Sequence, residues 1–115
     1  MDFDLFLQLV TAHPDVEEGF PFDQDTMVFK VKGKMFALTS LSDWEEGKPS
    51  VNLKCDPSRA IVLREQYQAI IPGYHMNKKH WNTVFIQGDV SSNLLKELIA
   101  HSYQLVRKSL PKKLQ

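Results

Sequence analysis

A chain of 115 residues with 43 % hydrophobic residues can bury one core but not two, so residues 1–115 read as a single domain. Its one thiol, Cys55, excludes an internal disulfide and fits a reducing compartment. With no apolar run near the ~18 residues of a membrane span and no basic leader in Met1-Asp2-Phe3-Asp4, the composition points to a cytoplasmic protein without a membrane partner. The fourteen bases and fourteen acids cancel, but seven acids and no Lys or Arg fall in residues 1–29, leaving fourteen bases against seven acids in the remainder, an asymmetry that hints at a polyanionic partner.

Asp2 is placed to cap a first helix in which Phe3, Phe6, Leu7 and Val10 recur at helical spacing, with Pro14 closing it. Val16 to Phe20 reads as a short strand, and Pro21-Phe22-Asp23-Gln24-Asp25 as a polar turn. Met27 to Leu38 is the clearest hairpin. Phe29 and Val31 alternate with Lys30 and Lys32, Gly33 supplies the turn, and Phe36 and Leu38 resume the buried face. That pattern gathers Lys30, Lys32 and Lys34 on the exposed face or tip of one hairpin, where their mutual repulsion calls for acids of the first segment or a phosphate backbone. A second hairpin follows, with Asp43 to Pro49 as its loop and Val51, Leu53 and Cys55 facing inward from Asn52 and Lys54. Trp44 in that loop is either a lid on the core or a ring presented to a partner.

Asp56-Pro57-Ser58 is a strong helix start, a capping carboxylate followed by Pro at the first helical position. Ala60, Leu63, Tyr67 and Ile70 form the inner stripe, Arg64 lies at its boundary, and Pro72-Gly73 ends the helix. A strand near Asn82 to Ile86, a Gln87-Gly88-Asp89 turn and a helix capped by Ser91 complete the chain; Leu94, Leu95, Leu98, Ile99, Ser102, Leu105 and Val106 give that helix a wide apolar face. The order α-β-β-β-β-α-β-α describes an α+β domain, an antiparallel sheet of about five strands with two hairpin wings, backed by three helices.

Between the second helix and the last strand, Tyr74, His75, Asn77, Lys78, Lys79, His80 and Trp81 crowd one loop. Cation, ring and amide are the side chains of phosphate and base contact. Tyr74 and Trp81 can equally pin the loop to the sheet while Asn77, Lys78 and Lys79 project. His75 and His80 are five apart, off the i, i+4 spacing that stacks two ligands on a helix, and Lys78 and Lys79 would repel a cation, so no metal site is assigned. Cys55 falls at the inward phase of its strand, Glu17-Glu18 and Glu45-Glu46 sit among turn residues, and no phosphate-binding or nucleophile motif occurs. No catalytic residue and no cofactor follow.

Lys34-Met35-Phe36-Ala37-Leu38, the preceding Pro21-Phe22 turn, the run Pro72-Gly73-Tyr74-His75-Met76-Asn77-Lys78-Lys79-His80-Trp81-Asn82-Thr83-Val84 and the closing Ser102-Tyr103-Gln104-Leu105-Val106 resemble the MmcQ/YjbR family of small bacterial proteins, over nearly the whole chain. The resemblance implies a double-wing fold of a kind associated with DNA binding, with tips at Lys32-Gly33-Lys34 and Glu46-Gly47-Lys48. Asp43, Glu45 and Glu46 oppose a phosphate contact at the second tip. The combined expectation is a monomer or weak homodimer that binds double-stranded DNA, as a transcriptional or nucleoid-associated regulator. Lys30, Lys32, Lys34, Lys78 and Lys79 would touch phosphates, with His80 beside them. His75 and Asn77 would reach base or sugar, and Tyr74 and Trp81 would pin the loop. The alternative is a non-enzymatic module for a small anion or a protein, with the same loop as a pocket wall.

Overall fold

All 115 residues are described by the structure, a computed structural model. Asp2 caps α1 (Phe3–Thr11) by accepting the Leu5 N–H at 2.8 Å, and the helix buries Phe6 and Val10. Then come β1 (Val16–Gly19), β2 (Thr26–Val31), β3 (Lys34–Ser40), α2 (Leu41–Glu45), β4 (Ser50–Lys54), α3 (Pro57–Gln66), β5 (Ile70–Pro72), β6 (Trp81–Phe85) and α4 (Ser92–Lys108), with a 3-10 turn at Lys112–Leu114. The strands form one antiparallel sheet in the order β1-β2-β3-β4-β6-β5. The α+β expectation holds, with six strands and four helices. No helix is long and apolar enough to cross a membrane.

One face of the sheet carries the main core. Phe29, Val31, Phe36, Val51, Leu53 and Val84 meet Phe6 of α1, Leu63 of α3 and Leu95, Ile99 and Val106 of α4. Apolar burial at roughly 25 cal/mol per Å2 makes this layer the principal source of stability. Ser102, fully buried on α4, ties helix to sheet by donating to the Phe36 carbonyl at 2.6 Å and accepting the Lys54 N–H at 2.9 Å.

Three local departures from the sequence reading shape the rest of the molecule. The turn Lys32-Gly33 places both residues at positive φ, and β3 carries one extra residue at Phe36, since Phe29 pairs with Ala37 but Lys30 with Met35. This bulge lets Phe36 and Ala37 both enter the helix-side core and turns Leu38 onto the opposite face, rather than beside Phe36. The stretch after Ser40 is a helix instead of a hairpin loop. Asp25 seeds it, accepting the Ser42 N–H at 2.8 Å and the Ser40 hydroxyl at 2.6 Å, which holds its carboxyl below the usual range. Trp44 of α2 is a lid on the core. Its ring packs 5.2 Å from Phe6 and 5.3 Å from Phe3, and its Nε1 donates to Thr39 at 2.9 Å, so Glu46-Gly47-Lys48 does not tip a strand-to-strand wing.

The third departure concerns Ile70. The helix ends at Gln66, before Pro72-Gly73 could stop it, and Ile70 opens an edge strand, β5. Asp89 holds the reversal: its carboxylate accepts the N–H groups of Ala69 at 2.9 Å and Gln68 at 3.0 Å, and these bonds lower its pKa. Two backbone donors satisfied from 20 and 21 residues downstream outweigh the helical spacing of Ile70 with Leu63 and Tyr67.

Candidate functional site

No helix covers the other face of the sheet. One row of partnered residues crosses all six strands on that face: Gly19, Val28, Leu38, Asn52, Thr83 and Ile71. Val28 and Leu38 join Trp81, with Met35 and Met76 packed on them, in a second, smaller core. Beside it lies a groove of about 770 Å3, within the range of small-molecule sites. Leu38, Asn52, Thr83 and Ile71 line it from the sheet, Phe22 and Asp23 from the loop before β2, Phe85 from the end of β6, and Tyr74, His75 and Met76 from the 73–80 loop.

That loop leaves β5 and curls back over the open face. Gly73 donates to the Trp81 carbonyl at 2.8 Å, and a Cβ on Gly73 would come within 2.8 Å of the Trp81 Cβ, so only glycine fits this approach. The Tyr74 N–H donates to Thr83 Oγ1 at 2.9 Å, and His75 takes a left-handed backbone at φ 59°. Asn77 builds the return: its Oδ1 accepts the Lys79 N–H at 3.0 Å, and its carbonyl accepts the N–H groups of His80 and Trp81. Arg64 of α3 locks the far side, donating to Asn82 Oδ1 at 2.7 Å and to the carbonyls of Lys78 and Trp81.

The polar centre of the groove has a fixed sense. Thr83 Oγ1 already accepts from Tyr74, so its own proton goes to Asn52 Oδ1. The Asn52 amide therefore offers its Nδ2 hydrogens, which have no acceptor within the protein, to the groove. Asp43, half-buried in the same wall, makes no ion pair and its carboxylate accepts no hydrogen bond; Asp23 is held ionised by the Thr26 and Asp25 N–H groups. No Lys or Arg is among the sixteen lining residues.

The structure separates the residues singled out in the sequence. Trp81 pins the loop and is 9 % exposed. Tyr74 does not: the residue is 65 % exposed, its ring lies 4.1 Å from that of His75, and only its backbone is tied down. Of the loop's chemistry-bearing residues, Tyr74 and His75 line the groove; Asn77, Lys78, Lys79 and His80 do not. The hairpin lysines do not share one face. Lys30 follows Val28 on the open face, directly across from Glu17; Lys32 pairs with Asp15 at 3.8 Å; Lys34 reaches Ser109 at the end of α4. Acids of the first segment thus offset two of the three. Cys55 lies in the core, where burial pushes its thiol up.

Phe22, Asp43, Asn52, Arg64, Thr83 and Phe85 were missed as site residues. A signal for a second lined face was present: Met27-Val28-Phe29 and Phe36-Ala37-Leu38 are continuously apolar, as strands covered on both sides are.

An antiparallel sheet with helices on one side and a loop-walled groove on the other defines a small α+β domain. The YjbR family model matches residues 11–105, and the chain belongs to that family. It is 43 % identical over 106 residues to the uncharacterized protein YbdF of Escherichia coli O157:H7, covering 92 % of this chain and 84 % of that one. The uncharacterized protein YjbR of Escherichia coli K12 is 33 % identical over 105 residues, with 91 % and 86 % covered. The crystal structure of Deinococcus radiodurans protein DR2400, with a DUF419 domain, superposes at a TM-score of 0.89 and 42 % identity, covering 98 % of this chain and 84 % of that one. A crystal structure of a Pseudomonas syringae protein gives 0.77 at 26 %, with 93 % and 100 % covered.

Proposed function

We propose that the protein is a non-enzymatic binding module whose ligand site is the groove on the helix-free face of the sheet. The observation that carries this reading is the concavity itself: about 770 Å3, floored by the sheet and walled by the Tyr74–Met76 segment. The exposed rings of Phe22, Tyr74 and Phe85 support it, since three large side chains left in water around one hollow cost solvation that a bound ligand would recover. With no Lys or Arg in its lining, the groove offers a small anion no counter-charge.

Duplex DNA is the second reading, and one observation favours it. The Lys34–Ser109 contact brings the tip of the first hairpin to the end of α4, the chain segment that also carries Lys108, Lys112 and Lys113. Against it, Lys32 and Arg107 are both engaged by Asp15.

Amide-resolved NMR titrations separate the two. A set of uncharged aromatic fragments is expected to shift Asn52, Thr83 and Tyr74, and random duplex at moderate salt to leave them unmoved. Shifts confined to Lys34 and Lys108 with duplex, and none with any fragment, would overturn the groove reading. Duplex binding through the hairpin would also lose up to about 0.9 in salt slope per phosphate contact when Lys30, Lys32 and Lys34 are all changed to Gln.

A further inference from the structure

Resting on the groove reading, we infer that the groove selects a flat aromatic ligand that carries a positive charge and a hydrogen-bond acceptor. Three independent features of the wall converge on that chemistry. Phe22, Tyr74 and Phe85 present exposed rings, and Met76 adds a polarizable thioether, so the body of the ligand is apolar and planar. Asn52 presents donors only, because Thr83 has already committed the Asn52 oxygen, so the ligand must bring an acceptor such as a carbonyl.

Charge decides the third property. Asp23 and Asp43 are the acidic side chains of the lining, and no Lys or Arg opposes them. Asp23 spends its oxygens on the Asp25 and Thr26 N–H groups and on the Thr26 hydroxyl, so its field remains but its lone pairs are largely used. Asp43 is different. No ion pair is formed by it and no donor reaches its carboxylate, although it is half-buried beside Ser40 and Ser50. A half-buried carboxylate with open lone pairs, at the edge of an aromatic hollow, recognises an ammonium or a protonated heterocycle.

Three naphthalene probes of one size test this at pH near 7.5: 2-naphthylmethylammonium, neutral 2-naphthamide and 2-naphthoate, each titrated by NMR into the intact protein. The ammonium is expected to bind at least about tenfold more tightly than the carboxylate, from combined attraction and repulsion at a partly screened site. Asp43→Asn should collapse that ratio severalfold while naphthamide still binds, which shows that the variant is folded. Asn52→Leu should weaken naphthamide and naphthoate, whose carbonyl oxygens need the donor, and leave the ammonium, which brings no acceptor, unchanged. Equal binding of the three probes, or a ratio unchanged by Asp43→Asn, would overturn the charge assignment and leave the groove reading standing. Failure of all three to perturb Asn52, Thr83 and Tyr74 would overturn both.

Discussion

Arg64 is the most informative residue to remove, because it holds the outer end of the groove's wall from the opposite face of the sheet. In Arg64→Met the stem survives and the guanidinium is lost. Three acceptors are affected unequally. The Lys78 carbonyl sits on an exposed residue and can turn to water, and the Trp81 carbonyl keeps its bond from Gly73. Asn82 is 2 % exposed, and its Oδ1 has no donor other than Arg64 Nε. The cost is then one charge-assisted hydrogen bond and one stranded buried oxygen, about 2–3 kcal/mol together. In urea this lowers the unfolding midpoint by roughly 1–2 M, for a slope of about 1.5 kcal/mol per M. Asn82→Leu removes the stranded group, so Arg64→Met made in that background should cost about 1.5 kcal/mol less than it does alone. Additivity of the two changes within about 0.5 kcal/mol would refute the account of Arg64 as the partner of Asn82.

Two further outcomes follow from the packing and the half-buried imidazoles. Gly73→Ala should destabilise by about 1–3 kcal/mol and shift the Tyr74 and Met76 amides, because its Cβ would press on the Trp81 Cβ and on the Trp81 carbonyl at 2.9 Å. Gly19→Ala, with nothing within 4 Å, is the control, and similar losses at both glycines would remove the close-approach argument. His101 accepts the Asp56 N–H on Nε2 at 3.2 Å, which only neutral imidazole can do, and burial lowers its pKa below the ordinary value near 6.5; burial lowers that of His13 as well. Folded pKa values below the unfolded ones mean stability that is whole above about pH 6.5 and lost as pH falls through the folded values. Urea midpoints measured from pH 7.5 to 5 should fall and His101→Gln should flatten part of the fall; a level profile for the wild type would contradict it.

Much of the framework was legible in the sequence because its signals are local. The Asp2, Asp56 and Ser91 caps, the period of α4 and the alternation of Val51, Leu53 and Cys55 each need only neighbouring residues, and all are observed. The family was legible in the 72–84 run. Tertiary structure decided the rest. Whether Ile70 continues a helix or opens a strand depends on Asp89, 19 positions away, and whether residues 41–45 coil into a helix depends on Asp25. The bulge at Phe36, which sends Leu38 to the open face, costs one unpaired residue and is recovered only by two side chains in a core built from α1 and α4. Beyond the two apolar runs Met27-Val28-Phe29 and Phe36-Ala37-Leu38, which mark a covered second face, the groove had no linear signature. Its floor is every second residue of separate strands, and Asn52 reads as solvent-facing until the 73–80 loop folds over the sheet and turns an outer face into a wall.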